Sequence, residues 1–433
     1  MISKPGVARR HGWYHGWNIV AVAILAQIAG NGLTVNAFSL FLHDWAAALG
    51  TKISTLQLGL AAMGLGSALL SPLAGVAADK YPARLLFGVG LAGMALFHIG
   101  ISFVTATWQF LTLFGLVLPG ALVVSTMLTA NALVSRWFVR RLGLALGLTA
   151  FGLGAAGAIL PPIIAAAMPA LGWRMVWRIA GVIIACIILP AALMVMRDRP
   201  TERDGLDYLT GKREAVPHSR GEPSRVRWRD ILRRRSFWLL LLAYLPMLAL
   251  YGGCAQNLEP IVTSRGLSQL TAGALLSALS VSQVASTLLM GMLSDRFGNK
   301  LPLLGLALAT GIGGLIVAFG QGIASLGIGF VLVGLSSGLW PLLAAAVAAE
   351  FGANAVGRAF GLLTLFIPVI ALAPFVIAKT HEATGSYTPG LTGLAVLAGL
   401  GACACLFMRE RHRGRDDDAG NAPALNEAVA PIC

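Results

Sequence analysis

Long apolar segments alternate with short polar turns along most of the chain. Each segment is long enough to cross a hydrocarbon core of ~30 Å as an α-helix. Lipid offers no hydrogen-bond partner to an exposed backbone, so helices are expected because they satisfy their own peptide groups. The pattern predicts twelve membrane-spanning helices, at residues 17–42, 55–78, 84–104, 108–134, 142–168, 174–196, 237–260, 269–293, 301–320, 322–349, 357–379 and 389–408.

A polar, Arg-rich segment in the middle of the chain divides these spans into two equal sets. We therefore predict an all-α membrane protein of two six-helix bundles. Its five parts are an N-terminal arm (1–16), a first bundle (17–196), a basic linker (197–235), a second bundle (236–408) and a polar tail (409–433).

Composition supports a membrane protein. Hydrophobic residues make up 57% of the chain and charged residues 12%, about half the charged share of a soluble domain. The net charge is +14, and most of the basic residues fall in segments that would share one side of the membrane. The exceptions are Lys52, Arg174, Arg178, Arg265 and Lys379. This asymmetry predicts cytoplasmic termini and linker, and it favours contact with anionic lipid headgroups over nucleic acid.

Enzyme chemistry has little support in the sequence. The five cysteines have no metal-ligand spacing, and no nucleophile–base pair or phosphate-binding loop is evident. We expect no enzymatic activity, no cofactor and no bound metal. The expected partners are the lipid bilayer and a small-molecule substrate, and we expect a monomer in a cell membrane, the inner membrane of a bacterium.

A charged segment that follows the second span recurs after the eighth span, half a chain length later. The first copy carries Gly75, Asp79 and Arg84, and the second carries Gly291, Asp295 and Arg296. Glycine lets two helices approach closely, and the charges favour a membrane surface. The repeated pattern resembles the loop signature of the major facilitator superfamily of secondary transporters. The resemblance implies two homologous halves and a conformational latch between them, joined by Arg136, Arg140, Glu350 and Arg358.

Within that superfamily, residues 131–147 resemble the junction of the fourth and fifth spans in monocarboxylate porters and oxalate/formate exchangers. In the proton-coupled monocarboxylate transporters, three charged groups carry the proton and the carboxylate. The corresponding positions here are Val35, Gln283 and Thr287. Since none of these side chains titrates near neutral pH, we expect simple carboxylates such as lactate not to be the main substrate.

Polar residues inside the spans are candidates for a substrate cavity between the halves. They are Gln27, Asn31, Asn36, Arg178, Tyr251, Gln256, Asn257, Gln283 and Thr287. Hydrogen bonding between helices is the alternative role for the amides. Arg178 is expected either to reach the outer surface or to anchor an anion. Glu259 is either a solvated charge at a helix end or a proton carrier. Gly252-Gly253 together with Pro260 predicts a locally unwound helix that faces a cavity.

These features predict a secondary transporter that moves a small organic solute by alternating access, and an organic anion is the expected solute. Two alternatives remain open. One is a uniporter or exporter of neutral or drug-like compounds. The other is a transporter-like receptor that binds a ligand without moving it.

Overall fold

The computed structural model describes residues 14–130, 133–134, 137–138, 142–198, 231–340, 342–343, 346–347, 362–363 and 366–407. These residues form helices and turns, and they contain no β-strand. The prediction of an all-α fold is confirmed. Nine of the described helices are long and apolar enough to cross a membrane, and a shorter apolar helix spans Ile323–Gly338. The predicted arm, tail and most of the predicted linker lie outside the described residues.

The first half begins with an α-helix that continues as a π-helix at its end. Its helices are α1 (Gly16–Asn31), a π-helical stretch (Gly32–Asn36), a 3-10 turn (Phe38–Phe41), α2 (Leu42–Leu49), α3 (Ile53–Lys80) and α4 (Ala83–Ile101). Helix α2 ends at Gly50, whose φ of 59° is in the left-handed region that glycine adopts without strain.

The fourth span is irregular, and the next two spans are nearly continuous. The elements are α5 (Thr107–Thr112), a π-helical stretch (Leu113–Val117), α6 (Leu118–Leu122), a second π-helical stretch (Val123–Ala130), α7 (Leu142–Ile183), a third π-helical stretch (Ile184–Ile188) and α8 (Leu189–Val195). Within α7 the backbone leaves helical geometry at Gly172, with φ 68° and ψ 158°. This break lies where the sequence predicts the turn between the fifth and sixth spans.

The second half begins with a similar order of helices. Its helices are α9 (Arg235–Gln256), α10 (Leu258–Thr263), α11 (Gln269–Phe297), α12 (Lys300–Phe319), α13 (Ile323–Gly334), a 3-10 turn (Leu335–Gly338), α14 (Ile367–Ile370), α15 (Ala373–Thr384) and α16 (Thr388–Leu406). Gly266, with φ 75°, precedes α11 as Gly50 precedes α3. The Oγ of Ser268 caps α11 by accepting a hydrogen bond from the Thr271 amide at 3.2 Å.

The structure places the break of the span that begins with α9 between the glycine pair and Pro260, and not at Gly252-Gly253 itself. The helix continues to Gln256 and breaks at Asn257, which has φ −110° and ψ 12°. Gly253 instead permits close packing, because a Cβ there would lie 2.5 Å from Ile377 Cδ1. The absence of a side chain thus lets α9 approach α15.

The two halves pack together at one end of the molecule. We call this the far end, since it lies opposite the start of α1 and contains α2 and α10. One buried apolar cluster combines residues of both halves there, including Phe41, Trp45, Leu258 and Ile261. A second cluster, including Phe237 and residues of α12 and α16, contains only residues of the second half among those described. The shared core therefore holds the far end closed.

Candidate functional site

Buried amide side chains join the two halves at the far end. Gln57 of α3 donates from Nε2 to the Gln256 carbonyl oxygen at 2.8 Å and to Asn257 Oδ1 at 3.1 Å. Gln57 and Asn257 are fully buried. Gln256 in turn donates from Nε2 to the carbonyl oxygen of Val35, in the first half, at 3.2 Å. The structure thus brings Gln256 and Asn257 together, at the boundary between the halves.

The break at the end of α9 places the Asn257 side chain. Its Nδ2 donates to the Gly253 carbonyl oxygen at 2.9 Å and to the Pro374 carbonyl oxygen at 3.1 Å. Asn257 Oδ1 remains free to accept from Gln57. The Asn257 side chain therefore hydrogen-bonds to α9, to α15 and to Gln57 of the first half, and it links these three parts.

An ion pair completes the contact between the halves. His43 Nδ1 of α2 lies 2.8 Å from Glu259 Oε2 of α10. The Glu259 side chain is 4% exposed, whereas that of His43 is 52% exposed. Hydrogen bonding to Glu259 raises the pKa of the His43 imidazole above its ordinary value, against the opposing effect of burial. Glu259 is therefore a buried and paired group, and the alternative of a solvated helix-end charge is wrong in this structure.

Sequence reasoning missed His43 and Gln57. The repeat offered a signal for His43, because His43 and Glu259 are separated by 216 residues, as are Gly75 and Gly291. His43 thus occupies the position in the first half that Glu259 occupies in the second. Gln57 had no comparable signal, since its partners become neighbours only when α3 packs against the end of α9.

The polar residues of the first span form hydrogen bonds within the first half. Asn31 Nδ2 donates to Gln27 Oε1 at 3.0 Å, one helical turn away. Asn36 donates from Nδ2 to the Leu153 carbonyl oxygen of α7 at 3.3 Å. A Cβ on Gly157 of α7 would lie 3.1 Å from Asn36 Oδ1. The glycine therefore lets α7 pass close to the end of the first span.

Deeper in the molecule, two further predicted cavity residues come close together. The Tyr251 side chain of α9 lies near the Gln283 side chain of α11. Thr287, one turn after Gln283, is exposed, and its hydroxyl donates to the Gln283 carbonyl oxygen at 2.9 Å. A Cβ on Gly252, beside Tyr251, would meet no atom within 4 Å. Open space therefore adjoins this polar pair.

Arg178 lies apart from these residues. Its Nε donates to Ser102 Oγ at 3.1 Å, and its guanidinium carbon is 4.6 Å from the ring centre of Phe103. Both partners follow the far end of α4. This placement matches the alternative in which Arg178 reaches the surface, and the structure does not bring it to the amides between the halves.

Most of the predicted latch falls where the structure gives no side-chain geometry. Arg136, Arg140, Glu350 and Arg358 lie outside the described residues, and only the helical backbone is described for Gly75, Asp79, Gly291 and Asp295. Arg84 donates from its backbone amide to Asp198 Oδ1 at 3.3 Å. The guanidinium carbon of Arg296 lies 5.3 Å from the ring centre of Phe297. The latch stays a prediction.

A family model described as the Major Facilitator Superfamily matches residues 22–264 and 255–430. The two matches together cover both bundles. The chain belongs to the Major Facilitator Superfamily. The resemblance drawn from the repeated charged segment is thereby confirmed at the level of the superfamily, and the monocarboxylate-porter branch stays a prediction.

Relatives within the superfamily include characterised and uncharacterised proteins. The riboflavin transporter RibJ of Trypanosoma brucei brucei is 30% identical over 195 residues, which cover 44% of this chain and 35% of that transporter. The matched segment thus spans about a third of the length of RibJ. The uncharacterised MFS-type transporter YcxA of Bacillus subtilis is 22% identical over 372 residues, covering 84% of this chain and 87% of YcxA.

Solved structures share the fold at low sequence identity. A bacterial homologue of the human lysosomal transporter Spinster, in an inward-facing and unoccupied conformation, matches with a TM-score of 0.71 at 14% identity, covering 90% of this chain and 95% of that one. The nucleoside transporter NupG matches with a TM-score of 0.70 at 12% identity, covering 90% and 99%. These likenesses concern the fold alone.

Proposed function

We propose that the protein is a secondary transporter that moves a small organic solute across a membrane by alternating access. The observation that carries the proposal is the asymmetric contact between the halves. At the far end they share an apolar core and buried polar bonds, whereas the second apolar cluster belongs to one half. Such an arrangement fits one of two alternating states, in which a central cavity is closed at the far end.

The solute path would run between the halves, past the polar residues at mid-depth. Tyr251 and Gln283 come close to one another from two helices, and Gly252 adjoins open space. Gln27 and Asn31 supply further amides from the first span. Hydroxyl and amide groups at these positions would orient a solute by hydrogen bonds, as in other small-molecule sites.

For the solute itself, an organic anion is our first candidate, as the sequence predicts. A specific observation favours a second candidate, a neutral planar solute with several hydrogen-bonding groups. Gln27, Asn31, Tyr251 and Gln283 are uncharged near neutral pH, whereas Arg178 bonds Ser102 instead. The riboflavin transporter and the nucleoside transporter named above give compounds of the second kind to test first.

Uptake into proteoliposomes tests the proposal. Radiolabelled riboflavin, nucleosides and monocarboxylates would be compared with and without a pH gradient, using protein-free liposomes as the control. We expect saturable, protein-dependent uptake of at least one compound. Saturable binding without uptake across the panel would contradict transport and support the receptor alternative.

A further inference from the structure

Equivalent positions of the two repeated halves meet in the His43–Glu259 pair. Their separation of 216 residues is also that of Gly50 and Gly266, the positive-φ glycines that precede α3 and α11. In a pair of halves related by a two-fold axis, equivalent residues touch one another only close to that axis. The pair therefore lies where the halves must separate if the far end opens.

Glu259 lies among buried apolar residues, so its carboxylate needs a partner of opposite charge. Its neighbours Leu258, Ile261 and Val262 are fully buried in the apolar cluster shared by both halves. A carboxylate removed from water is strongly destabilised unless it is paired. His43 Nδ1, at 2.8 Å, provides that pairing from the opposite half. Because His43 is half exposed, it can also exchange a proton with solvent.

We propose that His43 and Glu259 form a proton-binding site whose occupancy stabilises the closed far end. The inference rests on the alternating-access function proposed above. In the closed state the proton on His43 is held beside the Glu259 carboxylate. When the halves separate, the imidazole returns to water and releases that proton to the solvent at the far end.

Several other ionisable groups face this pair. Asp44 follows His43 on α2 and acts on both partners through its charge. On α15, His381 lies within reach of the charge of His43. Glu382, on the same helix, accepts hydrogen bonds from Lys379 and from the Ser54 amide. The ring of Tyr387 stacks on that of His381, with centroids 4.0 Å apart. Arg265, which follows α10, instead donates to the carbonyl oxygens of residues 317, 318 and 320. Within the described residues, His43 is thus the titratable group in direct contact with Glu259.

Proton binding by His43 is thermodynamically linked to closure of the far end, and this linkage gives the direction of the pH effect. Contact with Glu259 raises the pKa of His43 in the closed state. The closed state therefore keeps its proton at pH values at which the open state has lost it. Its added stability is fully present below about pH 6.5, the ordinary value for histidine, and is lost as the pH rises through the raised pKa. Acid favours closure and alkali favours opening.

Spin labels on opposite halves can measure this equilibrium. Ala48 on α2 and Ala324 on α13 are exposed and would be replaced by labelled cysteines, after the native cysteines are replaced by alanine. Distance distributions in lipid nanodiscs would be recorded at about pH 5.5 and about pH 8.5, on either side of the ordinary histidine pKa. We expect the long-distance population to rise several-fold relative to the short one at the higher pH.

Three variants make the test specific. Glu259→Gln, alone and combined with His43→Gln, keeps hydrogen-bonding side chains but removes the charge pair, so the distribution should become independent of pH. His381→Gln removes a neighbouring histidine and should keep the pH response. A pH response that survives in the combined variant, or is missing from the wild type, overturns the proton site. If the wild type shows no pH response but still takes up substrate, the proton site is excluded and the transport function is retained. If the far end never opens and uptake also fails, both proposals are excluded.

Discussion

Gly66 of α3 faces the backbone of Gly115 in the irregular fourth span. A Cβ at Gly66 would overlap the Gly115 carbonyl oxygen and lie 2.9 Å from Pro119 Cγ. We expect Gly66→Ala to destabilise the protein by about 1–3 kcal/mol, the usual cost of overpacking. Gly305→Ala is the matched control, because a Cβ there meets no atom within 4 Å and alanine favours helix. Equal thermal stability of the two variants in detergent would contradict the close approach.

Gln57 makes two of the bonds that close the far end, to the Gln256 carbonyl oxygen and Asn257 Oδ1. Leucine is similar in size and makes neither bond. At about 1 kcal/mol for each hydrogen bond, Gln57→Leu should shift the closed-to-open ratio by roughly tenfold or more towards the open far end. The spin-label pair at Ala48 and Ala324 would report the shift. An unchanged distance distribution would show that these bonds do not govern closure.

At the scale of single helices, α9 carries both a predicted feature and an unpredicted one. The sequence indicates a long apolar span that starts near residue 237, and the helix begins at Arg235. The position of the break, at Asn257, was not predicted, because it depends on hydrogen bonds to Gly253, Pro374 and Gln57 that form only in the folded protein. Local sequence favoured Gly252-Gly253 instead, since glycine weakens helices.

The open space beside Gly252 gives a test of the proposed path. Gly252 precedes Gln256 by one helical turn and follows Tyr251, and a Cβ there meets no atom within 4 Å. We expect Gly252→Trp to abolish uptake by filling that space, with little loss of thermal stability. Gly393→Trp is the control, because Gly393 of α16 is exposed and also has open space around it. Normal uptake by Gly252→Trp would place the path elsewhere.

For the whole molecule, the helical type of the elements could be predicted because apolar length and the repeated charged segment are local signals. The way in which the halves meet could not. It depends on contacts such as Gln269 Nε2 with the Leu40 carbonyl oxygen at 2.8 Å, which join residues far apart in the chain. The sequence selected the amides of the second half as polar residues inside spans, and these amides stay predicted site residues. Their neighbours His43 and Gln57 were found only in the structure.

A reversible cross-link across the far end tests alternating access most directly. The Ser54 amide donates to Glu382 Oε1 at 3.2 Å, joining α3 to α15. In a background without native cysteines, Ser54→Cys with Glu382→Cys would be bridged by a short bifunctional thiol reagent that a reductant can cleave. We predict that bridging abolishes substrate uptake, that cleavage restores it, and that each single-cysteine variant is unaffected by the reagent. Undiminished uptake by fully bridged protein would contradict a cycle in which the far end opens.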